Sequence, residues 1–218
     1  MALRRSWHRP ALGARGFFDK VGRDWETAWT QQVTPWELQG VNPSFVEGLA
    51  HVEKRGGRAL VPGCGSGYDI LHLQKQGWAA TGLDISPTAV AKARAVVGDN
   101  VRVTDFFNYS EPEPFDLVYD YLFFAAIEPE MRGRAAAQFK ALLHPTSGVL
   151  LTLLFPYVAE HGAMRKAGPP YELSLQDYKA ILEPAGLTLQ ATIEPSNSIK
   201  PRRGRELLAI WGCTVTAS

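Results

Sequence analysis

The sequence predicts an α/β fold in which helices cover both faces of a mostly parallel, seven-stranded sheet. From residue 58 onward, short apolar segments alternate with amphipathic segments at the lengths of strands and helices. The last two predicted strands are joined by a loop that is too short and too rich in proline for a crossover helix. The alternation indicates a doubly wound, Rossmann-like sheet, and the final loop indicates an antiparallel last strand. A chain of 218 residues suits one such domain.

The chain begins with a basic segment, residues 1–16, which contains four arginines and no acidic residue. We expect a disordered tail here. An organelle transit peptide is the alternative, which the scarcity of serine disfavours. We assign residues 17–218 to a single domain whose first part, 17–54, forms a helical cover.

Two helices are predicted in this cover. Trp25 and Trp29 are four residues apart and therefore lie on one face of a helix over residues 17–32. Asn42 and Pro43 supply an N-cap and a first helical residue, which begin a second helix that continues to about residue 54.

The strands and helices of the sheet region follow in order. The predicted strands are residues 58–62, 79–84, 101–105, 115–120, 148–155, 187–194 and 206–215. The predicted helices are residues 68–76, 86–97, 129–143 and 174–182. Ser86 caps the second of these helices, and Ser174 with Asp177 forms a capping box for the last. The uninterrupted apolar run 148–155 is typical of a central strand that is covered on both faces.

A glycine-rich turn follows the first strand. Gly63, Gly65 and Gly67 alternate there, and at each of them a side chain would occupy space that a ligand can use. Asp84 ends the next strand, where a carboxylate accepts hydrogen bonds from a ribose diol. These features predict a nucleotide-type ligand. Nicotinamide and flavin dinucleotides favour G-x-G-x-x-G, whereas the third glycine here is followed by Tyr68, which disfavours a dinucleotide-dependent oxidoreductase.

The G-x-G-x-G pattern resembles motif I of the class I S-adenosylmethionine-dependent methyltransferases. Further blocks resemble the halide/thiol methyltransferases, a branch of the thiopurine S-methyltransferase superfamily that includes the methyl halide transferases and thiocyanate methyltransferases. The blocks are residues 25–29, 33–36, 60–69, 82–86, 105–107, 115–117 with 120–121, 123–124, 126–129 and 168–171. They run in order through nearly all of residues 24–211. The resemblance implies the class I methyltransferase fold.

The resemblance also implies a co-substrate, S-adenosyl-L-methionine, with S-adenosyl-L-homocysteine as its product. The residues implied as its contacts are Trp25, Trp29, Trp36, Gly63, Gly65, Asp84, Asp105, Phe106 and Tyr121. Asp84 is expected to hold the ribose, Asp105 and Phe106 the adenine, and the tryptophans to cover the sulfonium. Val61 stands where many other class I enzymes carry an acid, so the methionine ammonium needs another partner.

The activity implied is methyl transfer to halide ions and small thiols or pseudohalides, namely iodide, bromide, chloride, thiocyanate and bisulfide. An anionic acceptor needs no general base, so positioning should dominate the rate. We hypothesise that Tyr121 and Tyr171 face this acceptor. Phe155 stands where plant members often carry tyrosine, which removes a hydroxyl from that position. The alternatives are a thiopurine-type enzyme for larger aromatic thiols and a non-catalytic sensor that binds the same co-substrate.

The amino-acid composition of the chain limits the kinds of partner that we expect it to bind. The net charge is +1, with acids and bases interleaved, which argues against nucleic acid and anionic membranes. No apolar run reaches the roughly 18 to 20 residues of a membrane span. We therefore expect a small anionic or thiol substrate and a monomer. The two cysteines indicate no disulfide framework, and we expect a cytoplasmic location.

Three further features complete these expectations. Asp116 and Asp120 lie about 13 Å apart along one strand, too far to share an ion, and the histidines lack ligand spacing, so we predict no metal. The basic residues of 202–205, with Glu206, are either a solvated loop or a group that closes the substrate side and attracts anions. Residues 157–171 form either a lid over the acceptor or a surface connection.

Overall fold

The computed structural model describes residue 21 and residues 24–159 and 169–213. Its centre is a seven-stranded sheet with the order β3-β2-β1-β4-β5-β7-β6. The strands are β1 Gly57–Pro62, β2 Trp78–Asp84, β3 Val101–Val103, β4 Leu117–Tyr121, β5 Val149–Leu154, β6 Leu187–Ile193 and β7 Leu207–Cys213. Strand β7 runs antiparallel to β5 and to β6, whereas β1 to β5 pair in parallel. The predicted sheet is confirmed.

Helices cover both faces of this sheet, as predicted. They are α1 Trp25–Thr30, α2 Pro43–Ala50, α3 Tyr68–Lys75, α4 Pro87–Val97, α5 Phe123–Ala126, α6 Arg132–Leu142 and α7 Leu175–Leu182. Phe45, Ile70 and Val90 belong to the core on one face, where α2, α3 and α4 pack. Phe139 and Tyr178 belong to the core on the other face, under α6 and α7. Within the described residues, no helix has the length and apolar character needed to cross a membrane.

The predicted helix starts after Asn42, Ser86 and Ser174 are observed, and each has a local side-chain hydrogen bond. The bounds of the first cover helix, predicted over 17–32, are wrong, because within the described residues Asp24 caps a helix that begins at Trp25 and ends at Thr30. The side chain of Asn42 accepts from the Ser44 amide, and that of Ser86 accepts from the Ala89 amide. Ser174 and Asp177 form the reciprocal capping box. A side-chain acceptor at the N-cap satisfies an amide that the first turn of the helix leaves without a partner.

Several predicted element ends are wrong. The second cover helix ends at Ala50, since His51 already caps its C-terminus. Strand β3 ends at Val103, and Asp105 instead caps a short 3-10 helix, Phe106–Asn108. The predicted helix 129–143 begins with a 3-10 turn, Pro129–Met131, before α6. Helix α5 was not predicted, because a four-residue helix has too few positions to show a helical period.

The strand order places the ligand edge of the sheet. The chain leaves β1 towards β2 on one side and later returns to β4 on the other side of β1. Open α/β sheets bind ligands at such a switch point, outside the carboxyl ends of the strands. The glycine turn after β1 and Tyr121 at the end of β4 both lie at this edge. The predicted tail 1–16 and residues 160–168 of the predicted lid lie outside the described residues.

Candidate active site

A cavity of about 430 Å³ lies at the carboxyl ends of the parallel strands. Its wall contains all nine residues predicted as co-substrate contacts: Trp25, Trp29, Trp36, Gly63, Gly65, Asp84, Asp105, Phe106 and Tyr121. These residues come from α1, from the loop after it, from the ends of β1, β2 and β4, and from the short 3-10 helix that follows β3. The fold therefore collects in one place residues that are up to 96 positions apart in the sequence, from Trp25 to Tyr121.

The glycine turn forms one side of the cavity with its backbone. Gly63 and Gly65 have φ angles of +58° and +54°, which favour glycine. A Cβ atom at Gly65 would lie 2.5 Å from Glu37 Oε1 and 3.4 Å from Trp29 Cζ2. A Cβ atom at Gly63 would lie 3.2 Å from the Phe123 ring. A side chain at either position would therefore collide with other residues of the cavity wall, so the turn lines the cavity with its backbone.

Asp84 is held in a fixed orientation by backbone amides. The Gly65 amide donates to Asp84 Oδ2 at 3.0 Å, and the Ser86 amide donates to Oδ1 at 2.9 Å. Burial raises the pKa of Asp84, and these two hydrogen bonds oppose that shift. Ser86, and not Asp84, caps helix α4, and the carboxylate of Asp84, which lines the cavity, has acceptor capacity beyond these backbone hydrogen bonds.

Asp105 and Phe106 line the cavity beyond Asp84. Asp105 Oδ1 accepts from the Phe107 amide at 3.0 Å, and Oδ2 accepts from the Asn108 side chain at 3.0 Å. Phe106 is buried, with its ring 4.9 Å from the ring of Phe123. This part of the wall combines an acceptor with a flat apolar surface, which suits an aromatic base.

Three tryptophans form the opposite wall. The Trp36 ring lies 5.5 Å from the Trp25 ring and 6.1 Å from the Trp29 ring, in both cases edge to face. Helix α1, which carries the first two, is attached to the N-terminus of α4 by Glu26. This carboxylate accepts hydrogen bonds from the Ser86 hydroxyl and from the Thr88 amide and hydroxyl.

Two carboxylates in the cavity wall were not assigned a role from the sequence. Glu37 lies beside Gly65, and Asp69 lies in the first turn of α3 and accepts from the Asn42 amide at 3.1 Å. Burial raises the pKa of Asp69 to about 7, although the Asn42 amide opposes the shift. Because Val61 is apolar, these two acids are the candidates for an ammonium partner. Its position directly after the glycine motif is the sequence feature from which Asp69 could have been predicted as a site residue.

The other end of the cavity is aromatic and cationic. Arg202 is only 5% exposed, and its guanidinium lies 5.2 Å from the ring of Tyr121 and 4.6 Å from that of Phe155. Its Nη2 donates to the carbonyl of Trp36 at 3.2 Å. The sequence left open whether the basic residues of 202–205 form a solvated loop or close the substrate side. In the structure Arg202 is buried in the cavity wall, whereas Arg203 is exposed.

Tyr171 is not brought to the cavity wall. It is 7% exposed, and its hydroxyl donates to Glu128 Oε2 while its ring lies 4.9 Å from the guanidinium of Arg132. Its amide donates to the Ala125 carbonyl, which ties this segment to α5. The neighbouring Pro169 and Pro170 line the cavity instead. A direct contact of Tyr171 with the acceptor stays a prediction.

The two strand aspartates serve other interactions. Asp116 pairs with Lys54 and accepts from the Arg58 amide at 2.8 Å. Asp120 is fully buried and accepts from the Phe124 amide at 3.0 Å. In the part of the chain that the structure describes, no three His, Cys, Asp or Glu side chains are grouped as metal ligands.

Comparison with known proteins gives three further findings. A sequence model of the family described as Thiopurine S-methyltransferase matches residues 21–206. The chain is 36% identical to Thiocyanate methyltransferase 1 of Arabidopsis thaliana over 194 residues, which are 86% of this chain and 83% of that protein. It is 37% identical to Probable thiol methyltransferase 2 of the same plant, with the same coverage of 86% and 83%.

A solved structure supports the fold. The 1,6-didemethyltoxoflavin-N1-methyltransferase of Burkholderia thailandensis, solved with its substrate and S-adenosylhomocysteine, superposes with a TM-score of 0.71. The match covers 95% of this chain and 93% of that chain at 21% sequence identity. The predicted class I methyltransferase fold is confirmed.

Proposed function

The chain belongs to the thiopurine S-methyltransferase family, and on that premise we propose that it methylates small, soft nucleophiles, namely thiocyanate, bisulfide and halide ions. The family membership makes the protein an S-adenosylmethionine-dependent methyltransferase, as the glycine motif predicts. The observation that carries the proposal is the acceptor end of the cavity, where aromatic side chains surround a buried arginine. The relatives named for thiocyanate and thiol methylation support it.

The donor end of the cavity fits S-adenosylmethionine. A volume of about 430 Å³ is in the range of small-molecule sites. The glycine turn leaves room for a methionine chain, and Asp84 is placed to accept from the ribose hydroxyls. We assign the ammonium to Glu37 and Asp69, and the adenine to Asp105 and Phe106. Trp25, Trp29 and Trp36 present aromatic faces and edges to the region that a sulfonium would occupy.

The residues at the acceptor end act by position and by exclusion of water. When bound, S-adenosylmethionine supplies an activated methyl group on a cationic sulfur. An anionic acceptor carries no proton to be removed, and among the described residues that line the cavity there is no histidine. Tyr121, Phe155 and Trp36 are expected to hold the acceptor in line with the methyl group. Transfer to an anion consumes both charges, so a wall of aromatic rings does not oppose it as water does.

The experiment compares acceptors on the purified full-length chain with S-adenosylmethionine. Headspace gas chromatography measures methyl iodide and methyl thiocyanate, and formation of S-adenosylhomocysteine measures turnover with every acceptor. We expect thiocyanate and iodide to be turned over with higher kcat/KM than 6-mercaptopurine. A higher kcat/KM for 6-mercaptopurine than for the two anions would favour the thiopurine-type alternative. Binding of S-adenosylhomocysteine without turnover of any acceptor would favour the sensor.

Other parts of the assignment are predictions that the fold leaves untested. We expect the protein to act as a monomer in the cytoplasm, without a nucleic-acid partner. Its balanced net charge of +1 is the basis for the last of these.

A further inference from the structure

We propose that Arg202 is the anion-receiving residue of the acceptor site and that it selects weakly hydrated anions such as thiocyanate and iodide. The inference rests on the proposed function and extends it to the residue that sets acceptor specificity. The loop that carries Arg202 lies between β6 and β7, where a short 3-10 helix, Lys200–Arg202, turns the side chain inward. The next residue, Arg203, is exposed.

The geometry fixes the guanidinium at the acceptor end. Its plane lies against the rings of Tyr121 and Phe155, with distances of 5.2 Å and 4.6 Å from the guanidinium carbon to the ring centres. The Trp36 carbonyl holds Nη2 from a third side. All four residues line the cavity. A guanidinium group is planar and weakly hydrated, so it pairs well with a large anion that loses its own water easily. An ammonium group is more strongly hydrated and pairs less well with such an anion.

A buried carboxylate supports this cation. Glu206 is 4% exposed, and its Oε1 lies 3.7 Å from Arg202 Nη1. Its Oε2 accepts from the hydroxyls of Ser44 and Ser198, each at 2.7 Å. Glu206 therefore stabilises a buried charge, and the hydroxyls keep the carboxylate on the side of α2. Glu206 itself does not line the cavity, so an incoming anion meets the arginine and not the acid.

The charges of the cavity wall are separated by sign. The acids Glu37, Asp69 and Asp84 surround the glycine turn at the donor end. The described basic residues of the wall, Arg202 and Arg205, lie at the acceptor end, with their guanidinium carbons 4.6 Å and 5.4 Å from the centre of the Phe155 ring. This polarity steers an anion away from the donor end and towards the methyl group.

The test measures two constants for each variant: the KM for thiocyanate and for iodide at saturating S-adenosylmethionine, and the Kd for S-adenosylhomocysteine by calorimetry. Arg202→Met is expected to raise both anion KM values by at least about tenfold, as loss of a hydrogen bond to a charged group does. The Kd should change far less than the KM values, because Arg202 reaches the donor end only through its charge, which lowers the pKa of Asp69. Arg202→Lys should give intermediate KM values, with iodide and thiocyanate less favoured over chloride, whose KM is measured in wild type and in this variant for the comparison. Arg203→Met is the matched control and should retain wild-type constants.

Removal of Arg202 alone leaves a buried, uncompensated Glu206, which can prevent folding. The double variant Arg202→Met/Glu206→Gln removes both charges and is measured in the same way. Variants with wild-type anion KM values would overturn the proposal. So would a weakened Kd with unchanged KM values, because Arg202 would then hold the donor's carboxylate. A wild-type chain without turnover of any anion would instead refute the proposed function.

Discussion

At the scale of single residues, Asp69 couples donor binding to pH. Its half-buried carboxyl lies in the cavity wall, and desolvation raises its pKa to about 7. If Asp69 receives the ammonium of the donor, binding favours its ionised form. Below pH 7, binding must therefore release a proton. The affinity for S-adenosylhomocysteine should fall as the pH is lowered from 7.5 to 6, by at most about tenfold per pH unit for one proton.

Calorimetry in two buffers of different ionisation enthalpy measures this proton release directly. Asp69→Asn should bind more weakly at pH 7.5 and should lose the release. Asp120→Asn is a matched control, because burial also raises the pKa of Asp120 to about 7 but Asp120 does not line the cavity. Equal proton release in wild type and Asp69→Asn would exclude Asp69 as the ammonium partner.

The residues that sequence patterns could locate are those next to an element boundary. Asp84 ends an apolar strand and precedes a recognisable cap, so its place at the sheet edge followed from local order. Arg202 follows from no local pattern, because three arginines share its loop and only tertiary contacts with Trp36 and Glu206 decide which one is buried. Tyr171 shows the reverse case, in which the fold turns an expected site residue towards Glu128.

At the scale of elements, hydrogen bonds from Glu26 attach helix α1 to the sheet domain, in addition to the packing of the buried Ala28 and Trp29. Glu26 of α1 accepts hydrogen bonds from Ser86 and Thr88 at the start of α4. The hydrogen bond from Ser86 is the main cause that lowers the pKa of Glu26. At neutral pH these neutral donors therefore bind an ionised carboxylate. Because α4 begins just after Asp84, this contact helps to order the tryptophan wall relative to the ribose site.

Glu26→Ala should therefore loosen α1 without unfolding the protein. We expect the Kd for S-adenosylhomocysteine to rise by about threefold to tenfold, since binding must then order the helix. Amide hydrogen exchange in α1 should become faster, while exchange in α6 stays the same. Glu53→Ala, in the exposed loop after α2, is the control. An unchanged Kd together with unchanged exchange would show that other contacts hold α1.

Helix starts that have a capping side chain were more predictable than element ends for a physical reason. A start depends on one residue, such as Asn42 or Ser174, whose side chain satisfies a free amide. An end depends on where tertiary packing stops supporting the helix or strand. Helix α5 escapes both signals, because it has four residues and Leu122 before it has a φ of +64° and makes no side-chain cap.

At the scale of the whole molecule, the sheet topology was the most predictable feature. Alternating apolar segments determine which strands are buried on both faces, and the proline-rich loop before β7 excludes a crossover helix. The topology then places the ends of β1 and β4 beside each other, and with them the glycine turn and Tyr121. The cavity's shape was not predictable, because α1 and the loop of Arg202 cover it from opposite ends of the chain.

The contribution of Asp120 to the stability of the whole fold should decline as the pH rises from 4 to 8. Burial raises its pKa to about 7, from a usual value near 3.8, and Oδ2 has no hydrogen-bond partner among the described residues. Between these values the folded protein holds a proton that the unfolded chain has released. The contribution of Asp120 to the free energy of unfolding is therefore fully present below pH 4. It decreases by about 1.4 kcal/mol per pH unit as the pH rises to 7.

The variant Asp120→Asn cannot ionise, and its amide oxygen can still accept from the Phe124 amide. The difference in Tm between this variant and wild type should therefore shift in favour of the variant between pH 5 and pH 8, by about 2 to 4 °C for each kcal/mol. When the two proteins are compared at the same pH, the contributions of the other titrating groups, including Asp69, cancel in the Tm difference. Asp99→Asn, on an exposed turn, should give a difference independent of pH. The same independence in Asp120→Asn would mean that the buried carboxyl keeps one protonation state throughout, and that another group governs the pH dependence of the fold.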